Sequence, residues 1–153
     1  MEILSIILIV LAIEISLVAY LTFMTVIFGR RVEQAQQIMT ASPWRSFLAG
    51  VLNFLFFGAI ALALNAVGGE LTRLLAVIVI TVLVAVVGIG LAGLVNLTGQ
   101  RLSPGAERLK MTAWGTVTLS LACALPVLGW FVLLPGVLFV SLGAVILGFF
   151  QRK

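Results

Sequence analysis

The stretch from residue 111 to residue 150 runs for forty residues without a single charged side chain. A continuous α-helix of that length would be about 60 Å long, which is twice the ~30 Å hydrocarbon core of a membrane. Helix-breaking and interfacial residues crowd into eleven positions at its middle: Pro126, Gly129, Trp130, Pro135 and Gly136. Because Pro and Gly interrupt helices, we predict two membrane helices at about 111–127 and 132–150. A re-entrant hairpin that never reaches the far side is the alternative.

Three further apolar runs are long enough to cross a membrane once each, at about residues 3–28, 47–67 and 74–97. The whole chain is 63% hydrophobic and only 9% charged, whereas soluble domains carry roughly 25% charged residues. A water-facing surface cannot be built from this composition. We therefore predict an all-α, polytopic integral membrane protein: one helical bundle of five transmembrane helices, or of four helices plus a re-entrant hairpin.

The basic residues are distributed unevenly between the apolar runs. Eight of the nine Lys and Arg residues lie in the linkers at 29–46 and 98–110 and in the C-terminal QRK, whereas the turn at 68–73 holds only Arg73. The positive-inside rule then places the N-terminus outside and the C-terminus in the cytoplasm. We expect a multi-pass protein of the bacterial cytoplasmic (inner) membrane. The two linkers supply a cytoplasmic basic surface: Arg30, Arg31, Arg45, Arg101, Arg108 and Lys110.

Several function classes are disfavoured by the residues that the chain lacks. It has no His, no Asp and one Cys, Cys123, so a Cys/His metal site and an internal disulfide are excluded. Intramembrane proteases need paired Asp, Ser with His, or a metal, and we predict no enzyme, no cofactor and no metal. GIGLAG, at 88–93, matches the dinucleotide fingerprint only by spelling, since it lies inside an apolar run. The net charge of +4 comes from short clusters that indicate topology, so nucleic-acid binding is not expected.

Glu14 is the only charged residue between residues 3 and 28. Counting back from the end of the run puts it about 7–8 Å inside the outer boundary of the membrane. An ionisable residue within a span is a functional hypothesis by default. A hydrogen bond to a neighbouring helix or a contact with a partner subunit is one reading. Ion or proton handling, with Asn53 and Asn65 as companions, is the second, and an interfacial residue without a role is the third.

Small side chains recur on helix faces, where they allow close packing in lipid. Two stripes repeat roughly every four residues, one in the third run and one in the fourth: Thr81, Ala85, Gly88 and Ala92, and Thr112, Thr116, Ser120 and Ala124. Gly136, Gly143 and Ala144 offer another such face in the last run. These faces are interpreted as packing surfaces within the bundle, or alternatively as a docking face for another protein.

Five short motifs follow one another in a familiar order: GRRVEQA, PWRSFLAGVL, GIGLA, GQRL and PVLGW. Together they resemble a small bacterial membrane region of unassigned function that is often found beside or fused to bactofilins, the polymer-forming cytoskeletal proteins. The resemblance covers most of residues 29–150. It implies no catalytic residues, and it implies that a cytoskeletal partner would be a separate cytoplasmic protein.

The leading functional hypothesis is a non-enzymatic membrane scaffold or accessory subunit, which packs against partner membrane proteins or anchors a cytoplasmic assembly. The expected partners are membrane lipids and other membrane subunits or further copies of the chain. The alternative is a small oligomeric transporter or channel that uses Glu14.

Overall fold

The computed structural model describes residues 2–125 and 127–150. Within these ranges the chain forms helices and no strand, which confirms the all-α prediction. The six α-helices are α1 (Glu2–Ile27), α2 (Gly29–Ala41), α3 (Pro43–Val67), α4 (Glu70–Leu102), α5 (Arg108–Cys123) and α6 (Leu134–Phe150), the last directly preceded by a π-helical turn at Gly129–Leu133.

Four helical segments are long and apolar enough to cross a membrane: Ile3–Ile27, Pro43–Val67, Glu70–Leu102 and Gly129–Phe150. The fourth predicted span differs, because α5 has only 16 residues and is about 24 Å long, short of the ~30 Å hydrocarbon core. Length and composition therefore support a membrane protein with four long spans, and they do not confirm the count of five.

The chain between residues 111 and 150 is interrupted between Cys123 and Gly129, and Pro126 lies outside the described residues. Pro135 and Gly136 lie in the first turn of α6, inside the predicted last span of 132–150. The π-helical turn just before them explains this placement. Such turns relax the hydrogen-bond ladder where Pro supplies no N–H.

The first linker is not an extended connection, because most of it is the helix α2. Its apolar side chains repeat at helical spacing, and four of them are buried: Val32, Ala35, Ile38 and Met39. This face packs against α4 and α6. The charged side chains lie on the other faces of the helix, so α2 is an amphipathic helix that closes one end of the bundle.

Helix α4 lies at the centre of the bundle and packs against all the other helices. Gly99 contacts the Met111 backbone and Gly115 contacts the Val95 backbone, so α4 and α5 run antiparallel. Helix α1 runs parallel to α4, since the Tyr20 side chain lies against Gly88 at one height and Thr25 bonds to Asn96 further along.

Helices α3 and α6 form the other close antiparallel pair. The Gly50 backbone lies against Phe139, and Gly143 lies against Ser46. We call the end at which α1 ends and α3 and α5 begin the basic end, because it carries the basic surface predicted above.

The α5–α6 hairpin is shorter than the α3–α4 hairpin beside it. Gly90 of α4 lies against Ser141 of α6. Gly129 comes twelve residues before Ser141, and Ile78 comes twelve residues before Gly90, so Gly129 and Ile78 lie at about the same height in the bundle. The start of α4 at Glu70 lies eight residues further on, or about 12 Å. Residues at the hairpin tip are apolar and exposed: Leu125, Val127 and Leu128. The far ends of α1 and α4 therefore extend past the tip.

Replacing Gly88 with Ala is expected to destabilise the α1–α4 contact, because the new methyl group would overlap the Tyr20 hydroxyl. The overlapped atom is the far end of a part-exposed side chain that can turn aside, so the cost should lie at the lower end of the roughly 1–3 kcal/mol range for overpacking and should slightly lower the midpoint of thermal unfolding in detergent. Tyr20→Phe removes the overlapped oxygen, so the double variant should recover part of the loss. No recovery in the double variant would show that this contact does not set the spacing of the two helices.

Candidate functional site

A buried amide joins three helices near the basic end. Asn96 on α4 is 8% exposed, and its Nδ2 donates to Thr25 Oγ1 on α1 over 3.2 Å. Its Oδ1 accepts a hydrogen bond from Thr112 Oγ1 on α5 over 2.7 Å. Both threonines are buried as well. In a membrane bundle such bonds act between helices where lipid offers no alternative partner.

The sequence around Asn96 allows this close approach. Gly99 and Gly115 bring the backbones of α4 and α5 into contact, and a Cβ at either position would overlap the facing carbonyl oxygen. Thr116 lies one turn after Thr112 on the same buried face, and its hydroxyl donates to the Thr112 carbonyl over 2.7 Å. The α4–α5 interface is therefore built from glycines and hydroxyls and not from large apolar side chains.

A polar cavity of about 110 Å³ lies beside this amide, between α1, α2, α4 and α5. We call it the basic-end cavity. Its lining combines side chains of both charges with amides: Thr25, Gly29, Val32, Glu33, Gln36, Asn96, Gln100, Arg108 and Met111. Gln36 Nε2 donates to Gln100 Oε1 over 2.7 Å, which links α2 to α4.

Two oppositely charged side chains line the same cavity. Arg108 Nη2 lies 3.7 Å from Glu33 Oε1, and the two side chains are 65% and 61% exposed. The separation is longer than a hydrogen bond, and exposed pairs contribute little to stability. Both groups therefore keep most of their hydrogen-bonding capacity for something else.

The N-terminus of α5 adds to the positive side of the cavity. Arg108 is its first residue, and the preceding Glu107 makes no side-chain capping bond. The first N–H groups of a helix lack intrahelical partners and carry a partial positive charge. The arrangement suits binding through charge and hydrogen bonds. Among the described residues, no group of three His, Cys, Asp or Glu side chains could hold a metal ion.

Glu14 lies away from this cavity, near the middle of α1 and close to the level of the hairpin tip. Val18 and Leu21 follow it by four and seven residues, which places the three on one helix face. Leu21 is buried against the bundle, whereas Glu14 is only half-buried. Its Oε2 atom is buried without a hydrogen-bond partner among the described residues.

The predicted companions of Glu14 lie elsewhere. Asn53 and Asn65 belong to α3, which packs on α4 and α6, whereas α1 packs on α4 and α5. Asn53 Nδ2 donates to the Ala49 carbonyl of its own helix over 2.8 Å, and Asn65 is exposed. A path lined by all three side chains would have to form between copies of the chain.

The burial of the predicted small-residue faces depends on their position along the bundle. Toward the basic end the residues are buried: Gly88, Ala92, Thr112 and Thr116. Toward the opposite end Thr81, Ala85 and Ala124 are exposed, and Ser120 is half-buried. In α6, Gly143 and Ala144 are buried and Gly136 is half-buried. These faces are thus tightly packed at the basic end and loosely packed toward the opposite end of the bundle.

Two of the six predicted basic side chains have partners among the residues that the structure describes. The Arg31 guanidinium lies 4.3 Å from the centre of the Phe149 ring, a favourable cation–π contact. Arg108 faces Glu33. Arg30, Arg45, Arg101 and Lys110 are exposed.

Sequence reasoning missed the basic-end cavity. Its key side chains, Glu33, Gln36, Asn96 and Gln100, were not among the predicted site residues. One signal was available, because an Asn in an apolar run between Gly93 and Gly99 needs an interhelical partner. Comparison of the chain with protein-family models, with curated proteins and with solved structures returned no match.

Proposed function

We propose that this chain is a non-enzymatic accessory subunit or scaffold of the bacterial cytoplasmic membrane, which packs against another membrane protein through the exposed half of α1. The main support is the Glu14 carboxylate, whose Oε2 atom has no hydrogen-bond partner among the described residues. Glu14 follows directly on a helical segment that the rest of the described chain does not bury. Side chains at residues 3–13 are all exposed.

The cost of an unpaired polar atom in lipid supports this proposal. A polar group without a hydrogen-bond partner in hydrocarbon costs several kcal/mol. Glu14 lies near the level of the hairpin tip, and the α1 side chains that precede it, at residues 3–13, are all exposed. A transmembrane helix with a Ser, Thr, Asn, Arg or Lys side chain at the same depth would supply a donor to the half-buried Glu14 carboxylate once that side chain turned outward to meet it. Exposed apolar side chains around it would pack against that helix.

The proposed topology has five crossings, with the N-terminus outside and the C-terminus in the cytoplasm. The alternating helix directions support the placement of the two termini, since α1, α4 and α6 run one way and α3 and α5 the other. With 16 residues, or about 24 Å of helix, α5 would complete a crossing where the hydrocarbon core thins to that length. The basic end would then face the cytoplasm, as the positive-inside rule requires.

The same orientation gives the basic end a second role within this proposal. Its exposed arginines and Lys110 would attract anionic headgroups, at about 1 kcal/mol per charge. They would also dock an acidic cytoplasmic protein. The resemblance to membrane regions that accompany bactofilins suggests a polymer-forming protein as that partner, on a separate chain.

Photo-crosslinking from α1 tests the partner contact. A photoreactive residue at Ile13 is expected to form an adduct with another membrane protein in intact cells, and the intact assembly should appear by native mass spectrometry. Glu14→Leu should abolish the adduct, because it removes the acceptor, whereas Glu14→Gln should retain most of it.

Val82 is the matched control position, because it is 57% exposed on α4 compared with 61% for Ile13. A photoreactive residue there should label mainly lipid. If Ile13 also labels only lipid, and the purified chain has the mass of a monomer, the accessory-subunit proposal is wrong.

A further inference from the structure

We propose that the basic-end cavity binds the headgroup of a zwitterionic phospholipid with a primary ammonium, the phosphate lying at Arg108 and the ammonium at Glu33. This inference concerns the opposite end of α1 from Glu14. It does not rest on the proposed partner contact.

The cavity lies at the height where headgroups meet the protein. Thr25 is two residues before the end of α1, and Asn96 lies at the end of the apolar part of α4. The volume of about 110 Å³ exceeds what a single water molecule needs. The exposed Glu33 and Arg108 side chains line its mouth, so a lipid can present its headgroup there while its acyl chains stay outside.

The two walls of the cavity differ in hydrogen-bonding character. The α2 wall offers acceptors: Glu33 carries its carboxylate, and Gln36, three residues on, has its carbonyl oxygen unused, because only its Nε2 bonds to Gln100. The facing wall offers donors, since Gln100 has Nε2 unused and Arg108 carries its guanidinium. The unpaired N–H groups of the first turn of α5 lie at the same wall.

This polarity selects among headgroups. A phosphodiester accepts hydrogen bonds and matches the donor wall, as phosphates do at arginines and helix N-termini. A primary ammonium donates three hydrogen bonds, as a lysine does, and matches the acceptor wall. A quaternary ammonium has no N–H to donate. A glycerol headgroup can donate hydroxyl hydrogen bonds to the acceptor wall, but it brings no positive charge to Glu33 and so lacks the stronger charge-assisted bond.

Lipid titration monitored by native mass spectrometry tests the assignment. The delipidated protein is titrated with phosphatidylethanolamine, phosphatidylcholine and phosphatidylglycerol of identical acyl chains. The wild type is expected to bind phosphatidylethanolamine about tenfold more tightly than the other two, as one charge-assisted hydrogen bond would give.

Two variants, each of which removes one charge, test the acceptor wall and the donor wall separately. Glu33→Gln should reduce the preference for phosphatidylethanolamine over phosphatidylcholine to about one and strengthen phosphatidylglycerol binding. Arg108→Gln should weaken both zwitterionic lipids about tenfold without changing their ratio. Arg101→Gln is the control, since Arg101 is an exposed basic residue outside the cavity, and it should keep the wild-type preference. Thermal unfolding of each variant shows that the fold is retained.

Two outcomes would overturn the proposal. Phosphatidylglycerol binding at least as tightly as phosphatidylethanolamine in the wild type would show that the basic surface attracts lipid by net charge alone. Soluble glycerophosphoethanolamine binding as tightly as the intact lipid would make a free metabolite the ligand, and the lipid assignment would be wrong.

Discussion

Gly143→Leu is expected to prevent assembly of the bundle, and Gly143→Ala to weaken it severely. A Cβ atom at Gly143 would overlap the Ser46 carbonyl oxygen and lie 2.6 Å from the Gly50 amide nitrogen. Both are backbone atoms, so no side chain can move aside. Helices α3 and α6 would have to separate along their whole contact.

The expected cost is large because the α3–α6 contact depends on glycine from both sides. Gly50 lies against the Phe139 backbone just as Gly143 lies against Ser46. Transmembrane helices gain little from the hydrophobic effect and associate by close packing. Overpacking a tight core costs about 1–3 kcal/mol, and more where the backbone must move. We expect Gly143→Ala to lose about 3 kcal/mol of unfolding free energy in mixed micelles.

Two other glycines provide matched controls. A Cβ at Gly58 on α3 or at Gly136 on α6 meets no atom within 4 Å. In a helix interior Ala is favoured over Gly by about 0.5–1 kcal/mol, so Gly58→Ala and Gly136→Ala should be neutral or slightly stabilising. If Gly143→Ala unfolds at the same denaturant concentration as Gly136→Ala, α3 and α6 are not in backbone contact.

The features that sequence reasoning predicted correctly are those that a single segment determines. Long charge-free runs predict membrane helices, because a helix is the structure that satisfies all its backbone hydrogen bonds in lipid within one segment. The crowding of Pro and Gly also placed an interruption in the last run, and the structure breaks the helix between Cys123 and Gly129. Each conclusion needs only local composition and length.

Helix α2 is an element that local sequence patterns did not predict. Its composition is polar, and on that basis it was read as a linker. Whether its four apolar side chains are buried depends on a groove elsewhere in the chain. A Cβ atom added at Gly93 on α4 would lie 3.1 Å from the Val32 carbonyl oxygen. Gly148 on α6 faces the Ile38 side chain. Those glycines leave space for α2, and because they lie on other helices, their effect depends on the tertiary structure.

The basic-end cavity could not be predicted for the same reason. Its hydrogen bonds join residues 64 and 71 positions apart, Gln36 to Gln100 and Thr25 to Asn96. One sequence contains no information on which polar residues in different helices share a height. Glu14, in contrast, was conspicuous from sequence alone because it interrupts an apolar run.

Removing the Asn96 amide is expected to loosen α1 and α5 from α4 together. Asn96→Leu keeps the branched shape and the number of side-chain heavy atoms but deletes both interhelical bonds, to Thr25 and to Thr112. Interhelical hydrogen bonds measured in membranes average about 0.6 kcal/mol and reach about 1.7 kcal/mol. We expect Asn96→Leu to cost about 1–3 kcal/mol of unfolding free energy.

Thr112→Val tests whether the two residues act as a unit. This change keeps the shape of the side chain but leaves Asn96 Oδ1 without its donor in the buried interface, which is costly. The double variant Asn96→Leu, Thr112→Val should therefore lose less than the sum of the single losses, since the second change removes nothing further from the pair. The difference in a double-mutant cycle should be about 0.6–1.7 kcal/mol.

Thr81→Val is the control for a hydroxyl that serves only its own helix. Thr81 is exposed, and its Oγ1 donates to the Val77 carbonyl over 2.8 Å. Its loss should change the unfolding free energy by less than about 0.5 kcal/mol. If the cycle for Asn96 and Thr112 shows strict additivity, the amide does not link α4 to α5. The close approach of the two helices would then rest on Gly99 and Gly115 alone.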